Sequence, residues 1–211
     1  LTVRNASEIR LLQLTDLHYF SRDPATWEAF NARTTEQIRT LTVHARPDLV
    51  VITGDVWSEN DNGSGEVQLR YAVDQFAALG VPWAFTWGNH DQVTDRARAD
   101  ALLRDAPNSL YRRDAQDGHY RIDLRDVSGR LLWQLLLIDT GREGLIGPRR
   151  EWVRRLPAAD VPRLAFFHIP LKQYAQVWDE GLAVGIWGEP PCYERDDGSA
   201  LAILREAGVV G

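Results

Sequence analysis

Acidic, imidazole and amide side chains follow several short apolar stretches of this sequence. Asp-Leu-His occupies positions 16–18, Gly-Asp positions 54–55 and Gly-Asn-His-Asp positions 88–91, and His168 follows a later stretch. Carboxylate oxygens and imidazole nitrogens suit hard or borderline divalent metals, and these motifs contain no cysteine that would favour a softer ion. The motifs therefore predict a metal site with oxygen and nitrogen ligands.

The spacing within the first two motifs supports a shared site. Asp16 and His18 are two residues apart, so an extended backbone would direct both side chains to the same face. Gly54 permits a tight turn and leaves the Asp55 carboxylate at its tip, where its two oxygens could bridge two ions. Two metals about 3.5 to 4 Å apart, sharing a carboxylate and a hydroxide, form the arrangement that hydrolyses phosphate esters.

Each motif alone also has a structural interpretation. Asp16 and His18 fit a strand-end turn with a capping carboxylate, and Gly-Asp is a common turn dipeptide. His168 alone fits a buried structural histidine as well as it fits a ligand. The Gly-Asn-His-Asp segment contains more polar chemistry than a turn requires. The four motifs together, in order and each after a strand, favour the metal site.

The elements that would position these motifs are those of an α/β domain, because apolar runs alternate with amphipathic stretches. The pattern predicts strands at 9–14, 49–53, 83–86, 119–125, 131–138 and 163–167, and helices at 26–43, 67–79, 95–104, 148–156, 171–179 and 199–207. Three successive strand-helix units predict a parallel sheet, and the turn at 126–129 predicts an antiparallel hairpin. Open α/β sheets bind ligands at the carboxyl ends of their strands, so the motifs should meet at one edge.

Length and charge restrict the class of protein. The chain has 211 residues, with 24 Lys+Arg against 30 Asp+Glu and a net charge of −6, which predicts one domain over residues 1–211. The acidic balance argues against a broad nucleic-acid surface, although a local site could hold a small anion. No apolar run approaches the roughly 20 residues of a membrane helix. No signal-peptide pattern opens the sequence, which favours a cytoplasmic location without membrane association. The sequence contains no Met, however, so we expect a trimmed beginning, and the location stays open.

The ordered motifs resemble those of the calcineurin-like metallophosphoesterases, whose pattern is Asp-x-His, Gly-Asp, Gly-Asn-His-Asp/Glu, His and Gly-His-x-His. The resemblance covers nearly the whole chain and is greatest to the bacterial and fungal phosphatase branch, near the purple-acid-phosphatase-like proteins. It implies an α/β fold, a four-layer α-β-β-α sandwich of two mixed sheets flanked by helices. It also implies that Asp16 and His18 hold one metal, that Asp55 bridges, and that Asn89 and His168 hold a second.

The same resemblance implies roles for the two residues after Asn89. His90 would stay off the metals and face the substrate phosphate, as a general acid or transition-state stabiliser, while a hydroxide bridging the two divalent metals attacks phosphorus. Asp91 would either orient the His90 ring or cap a helix beginning near Gln92. Mn, Fe, Zn and Co all suit the ligands.

The expected activity is metal-dependent hydrolysis of small phosphomonoesters. A phosphodiesterase acting on cyclic nucleotides is the alternative within the same chemistry. A metal-free, non-catalytic binding module of the same fold is the alternative from another class.

The sequence departs from the family pattern at two places. Gly-His-x-His is absent, and residues 209–211 predict the strand that would lead into it. We therefore expect either a C-terminally incomplete domain, poorly active or inactive as it stands, or a degenerate scaffold, and we favour the first. Purple acid phosphatases carry a Tyr three residues after the bridging Asp, where this chain has Ser58, so no purple chromophore is expected.

Some further side chains have weaker expectations. His119 is expected to be exposed at the start of a strand. Four residues are expected to rim the site: Tyr19, Trp57, Arg142 and Trp187.

Overall fold

The secondary structure follows the predicted order of strands and helices. The computed structural model describes residues 1–20, 24–57, 63–112, 118–188 and 195–211, so Ser58 lies outside the described residues. The strands are β1 (Leu11–Leu14), β2 (Leu49–Ile52), β3 (Trp83–Phe85), β4 (Tyr120–Arg125), β5 (Leu131–Ile138) and β6 (Arg163–Phe167). The helices are α1 (Trp27–Ala45), α2 (Gly65–Ala77), α3 (Arg96–Asp105), α4 (Pro148–Arg154), α5 (Gln173–Asp179) and α6 (Ala200–Glu206), and a 3-10 turn covers Pro24–Thr26. Each predicted element is present.

The first sheet has the order β1-β2-β3, and its strands are parallel. The central strand β2 is the run Leu-Val-Val-Ile, buried along its whole length, as expected for a parallel strand covered on both faces. Leu12 pairs with Val50, and Val51 pairs with Ala84. Because all three strands run in the same direction, their carboxyl ends share one edge, where the first three motifs begin.

The second sheet has the order β4-β5-β6 and is mixed. The predicted hairpin joins β4 and β5 as antiparallel strands, and the Asp126 carboxylate in its turn accepts hydrogen bonds from the N–H groups of Ser128 and Arg130. Strands β5 and β6 are parallel, so His168 follows β6 at the same edge as the end of β5. Val209 pairs with Arg163 beside β6, as its apolar sequence predicted.

Two apolar clusters hold the layers together. The larger cluster contains residues of both sheets together with Ile38 of α1 and Phe76 of α2, and the smaller one joins Leu136 of β5 to Val153 of α4 and Ile203 of α6. The layers are therefore helix, sheet, sheet and helix, which confirms the predicted four-layer sandwich. Within the described ranges, no helix combines the length and apolar character needed to cross a membrane.

Candidate metal centre

The loops that follow β2 and β3 are in direct contact at two glycines. A Cβ added to Gly54 would lie 2.4 Å from the Gly88 nitrogen, and one added to Gly88 would lie 2.1 Å from Oδ1 of Asp55. Gly54 also has a φ of +92°, in the left-handed region that favours glycine. The glycines of the two motifs thus allow the backbones to approach and bring Asp55 beside the Gly-Asn-His-Asp segment.

The Asp91 carboxylate ties these two loops together through backbone N–H groups. It accepts hydrogen bonds from Gly88 at 2.8 Å, Asp55 at 2.9 Å, Val56 at 2.7 Å and Trp57 at 3.4 Å. Burial, together with the nearby Asp55 carboxylate, raises the pKa of Asp91 to about 6 despite these donors. Asp91 therefore fixes the loop that carries Asp55.

The helix after this motif begins later than Gln92. Helix α3 starts at Arg96, and its N-cap is Asp95, whose side chain accepts a hydrogen bond from the N–H of Arg98 at 3.0 Å. The alternative in which Asp91 caps a helix near Gln92 is therefore wrong. Orientation of the His90 ring by Asp91 stays a prediction.

Asp16 and His18 reach the site through an unusual backbone conformation. Both are left-handed, with φ values of 53° and 47°, so the segment is not extended as predicted. The N–H groups of these two residues donate to the carbonyls of Gly54 and Asp55, each at 3.0 Å, which holds the segment against the loop after β2. Asp16 Oδ1 and His18 Nε2 still lie 3.5 Å apart.

Asp55 lies at the centre of the site. One ligand atom from each of Asp16, His18 and Asp55 lies within 4.8 Å of the other two. The Asp55 side chain is buried, and its Oδ1 accepts a hydrogen bond from the N–H of His90 at 2.9 Å. Burial acts to raise the pKa of Asp55, but the hydrogen bonds from His168 and from the His90 backbone lower it overall.

His168 contacts Asp55 from the second sheet. Its Nδ1 is 2.9 Å from the carbonyl oxygen of Thr53, and its Nε2 is 3.2 Å from Oδ2 of Asp55. Because a carbonyl only accepts, Nδ1 carries a hydrogen and Nε2 faces the carboxylate. Burial acts to lower the pKa of His168, but the Asp55 carboxylate outweighs it and raises that pKa to about 8. A cation can take the place of the proton between Nε2 and Asp55.

His90 and Asn89 lie in the turn after β3. His90 Nε2 is 3.9 Å from Oδ2 of Asp55, and its ring meets the His18 ring edge-to-face with centroids 5.6 Å apart. The His90 side chain is 42% exposed, so a molecule in solvent can reach it. Asn89 is half-buried beside it.

The residues around Asp55 fit a divalent cation. The donors are carboxylate oxygens and imidazole nitrogens, and the hydrogen bond at Nδ1 of His168 leaves its Nε2 as the coordinating atom.

Two supporting groups were not predicted. Thr15 Oγ1 donates to Asp16 Oδ2 at 2.6 Å, and the Thr53 carbonyl holds His168. The position of Thr15 next to the first motif was an available signal, whereas no sequence pattern marks a backbone carbonyl.

The weaker predictions for Tyr19, Trp57 and His119 are wrong. Tyr19 and Trp57 are fully buried, because they pair with each other in a bridge that continues the first sheet and their rings turn into the core. His119 is buried as well, and its Nδ1 accepts a hydrogen bond from the N–H of Asp139 at 3.2 Å. The rim positions of Arg142 and Trp187 stay predictions. Arg142 is exposed in the loop after β5, and Trp187 packs against Trp178 of α5 with ring centroids 5.3 Å apart.

Sequence comparison decides the family. The model of the family described as calcineurin-like phosphoesterase matches residues 9–200, a range that contains every motif of the site. The chain belongs to the calcineurin-like phosphoesterase family. This confirms the family that the order of the motifs predicted.

Relatives of this calcineurin-like phosphoesterase chain come from fungi, plants and bacteria. It is 27% identical to an uncharacterized protein of Schizosaccharomyces pombe, over 93% of this chain and 43% of that protein. It is 23% identical to probable inactive purple acid phosphatase 28 of Arabidopsis thaliana, over 84% of this chain and 57% of that protein. It is 30% identical to a probable cyclic nucleotide phosphodiesterase of Psychrobacter arcticus, over 76% of this chain and 59% of that protein. The chain thus spans about half the length of these curated relatives.

A solved structure shares the fold of this phosphoesterase chain. A dimetal phosphatase from Danio rerio superposes with a TM-score of 0.53 and 14% identity, covering 95% of this chain and 79% of that one. At this identity the likeness concerns the fold alone, and it confirms the sandwich architecture.

Proposed function

We propose that this chain is a metal-dependent phosphoesterase that hydrolyses phosphomonoesters at the edge formed by the ends of β1, β2, β3 and β6. The observation that carries the proposal is the convergence of Asp16, His18 and Asp55 within 4.8 Å, with His168 3.2 Å from Asp55. The substrate is a small phosphate ester. With a net charge of −6, the chain has no general attraction for nucleic acid.

The proposed centre would take two divalent cations, for which Mn, Fe, Zn and Co are all suitable. Asp16 and His18 would hold one, Asn89 and His168 the other, and Asp55 has two oxygens to share between them. When bound, such ions activate a water molecule and neutralise charge on the phosphate.

The side chains of the site perform the remaining tasks. The partly exposed side chain of His90 lies beside Asp55, so its ring can reach a phosphate bound there and donate a proton to the leaving alkoxide. The His90 N–H, bonded to Oδ1 of Asp55, orients that carboxylate. The Asp91 carboxylate accepts hydrogen bonds from the N–H groups of Asp55 and Val56 and so holds the backbone of the loop after β2. Preorganisation of this kind lowers the cost of reaching the transition state.

Hydrolysis of p-nitrophenyl phosphate tests the proposal. In a full-length version of the protein, added Mn²⁺ should stimulate hydrolysis, Asp55→Ala should abolish it, and His90→Ala should slow it by about 10² to 10⁴-fold, the usual range for loss of an acid-base group. Asp74→Ala, which removes an exposed carboxylate on α2, is the matched control and should leave the rate unchanged. The proposal is wrong if Mn²⁺ has no effect or if the rate survives Asp55→Ala.

A phosphodiesterase is the second candidate, and the Psychrobacter arcticus relative named as a probable cyclic nucleotide phosphodiesterase favours it. The same metal centre would serve, because hydrolysis of either ester needs the same attack on phosphorus. The ratio of bis-p-nitrophenyl phosphate to p-nitrophenyl phosphate turnover decides between them. A ratio well above one supports the diesterase.

A non-catalytic module is the candidate from another class, and the plant relative named as probably inactive favours it. This candidate predicts only trace metal in the purified protein by elemental analysis. Retention of stoichiometric metal by the wild type and its loss in Asp55→Ala would exclude it.

A further inference from the structure

Arg96 spans the space between the two sheets close to the metal centre. Its guanidinium carbon lies 3.7 Å from the centroid of the Trp87 ring, and its Nη2 lies 2.7 Å from Oδ2 of Asp139. Trp87 follows β3 of the first sheet, and Asp139 follows β5 of the second. One side chain thus contacts the carboxyl end of a strand in each sheet.

Both partners of Arg96 are themselves held in place. Trp87 is buried, and its Nε1 donates to the hydroxyl of Tyr111 at 3.0 Å. Asp139 is buried, and its Oδ1 accepts a hydrogen bond from the N–H of Gly141 at 2.9 Å. A second carboxylate, that of the buried Asp100, lies 3.2 Å from the Nε of Arg96. The guanidinium therefore joins two fixed groups rather than two mobile ones.

Both partners of Arg96 are close in the chain or through a hydrogen bond to a candidate metal ligand. Trp87 is followed by Gly88 and then Asn89. Asp139 is followed by Thr140, whose Oγ1 accepts a hydrogen bond from the N–H of Ile169 at 3.0 Å, and Ile169 adjoins His168. Arg96 is thus connected through Trp87 to the loop that carries Asn89, and through Asp139 and Thr140 to the loop that carries His168.

We propose that Arg96 is a positioning residue that sets the separation of Asn89 and His168, and with it the geometry of one of the two metal subsites. The inference rests on the proposed function for the assignment of these two ligands. Asp16 and His18, which would hold the other ion, are held by their own backbone hydrogen bonds to the loop after β2, one step further from Arg96 than the loop that carries Asn89. The planar guanidinium is needed because it lies over the Trp87 ring while its Nε and Nη2 donate to two different carboxylates, a geometry that a lysine ammonium reproduces only in part.

Mn²⁺ titration calorimetry of the metal-free protein tests this role. Arg96→Met should lower the affinity for one ion by about 10- to 100-fold, the usual effect of removing a group that orients a ligand. The affinity for the other ion should not change. The binding event that Arg96→Met weakens should be the one that His168→Gln weakens. It should not be the one that His18→Gln weakens. Arg96→Lys should recover only part of the affinity. Arg104→Met, on the same helix with its pair to Asp105 on the surface, is the matched control and should bind both ions as the wild type does.

Kinetics and folding give separate readouts. In Arg96→Met, kcat for p-nitrophenyl phosphate should fall by about tenfold or more while KM changes little, as expected for displaced catalytic geometry. Circular dichroism identifies loss of fold, and if Arg96→Met does not fold, Arg96→Lys carries the test. Equal weakening of both ions, or unchanged binding in Arg96→Met and Arg96→Lys, would overturn the inference. If the wild type binds two ions without hydrolysing the ester, and Arg96→Met selectively weakens one, the proposed function fails while the positioning role stands.

Discussion

The backbone N–H of Asp55 donates to the carboxylate of Asp91 at 2.9 Å, which links two motifs that are 36 residues apart in the sequence. Asp55 directs its own side chain toward the metal centre, whereas Asp91 directs its side chain to the backbone behind that centre. Two neighbouring carboxylates therefore have different tasks. One is a candidate ligand, and the other is part of the frame that holds it.

Loss of the Asp91 carboxylate should destabilise the fold. Asp91→Ala leaves four backbone N–H groups without their acceptor, and we expect a loss of about 3 to 5 kcal/mol in the free energy of unfolding. Urea unfolding measures it. Asp95→Ala removes one cap hydrogen bond on α3 and should cost only about 1 kcal/mol. Equal losses in the two variants would contradict the assigned role of Asp91.

The contact between Gly54 and Gly88 should tolerate no side chain. Gly54→Ala combines a left-handed φ with a Cβ 2.4 Å from backbone, so we expect a loss of at least about 3 kcal/mol. Gly80 also has a positive φ, of +69°, but a Cβ there would meet nothing within 4 Å. Gly80→Ala should therefore cost only about 1 kcal/mol, the penalty for the backbone conformation. Thermal or urea unfolding of the two variants separates the clash from the backbone penalty.

Divalent metal should stabilise the folded protein through Asp55. Mn²⁺ at about 100 times its dissociation constant adds about 2.7 kcal/mol, because the ion binds the folded state alone. For a chain of this length, the midpoint of thermal unfolding should rise by about 5 to 10 °C. Asp55→Asn should abolish the shift, while Asp74→Asn should retain it. A shift that persists in Asp55→Asn would place the ion elsewhere.

Asp48 lies at the end of the first sheet opposite the metal centre, and it should make the free energy of unfolding depend on pH. Burial acts to raise its pKa, but hydrogen bonds from the Arg10 N–H and the Arg4 guanidinium lower it overall. Because the folded pKa lies below the unfolded value of about 3.9, the carboxylate stabilises the fold above that pH. This stabilisation is lost as the pH falls below about 4, toward the lower folded pKa.

Urea unfolding across this range checks the expectation. Asp48→Asn should show a flatter loss of stability on acidification than the wild type. The exposed Asp105 provides the control, and Asp105→Asn should keep the wild-type slope. An unchanged slope in Asp48→Asn would contradict the role of this ion pair.

Local patterns were sufficient to predict the secondary structure. The burial of β2 follows from its β-branched run, and the turn after β4 follows from Asp-Val-Ser-Gly, which forms the predicted hairpin. The ends of the elements were less certain, because caps depend on individual hydrogen bonds such as that of Asp95 on α3. The convergence of the motifs was also predictable, since parallel strands bring their carboxyl ends to one edge.

By itself, the sequence determined the candidate ligands, their order and the α/β pattern of strands and helices, because residue type and periodicity are properties of short segments. The four-layer sandwich was implied by the resemblance to the family. Only the tertiary structure decided what Asp91 and Arg96 contact, and that Asp16 and His18 approach through left-handed backbone. The burial of Tyr19 in the core was likewise visible only in the tertiary structure. The physical reason is that these outcomes depend on partners far away in the chain, such as a backbone N–H 36 residues distant or a carboxylate in the other sheet. No local pattern carries that information.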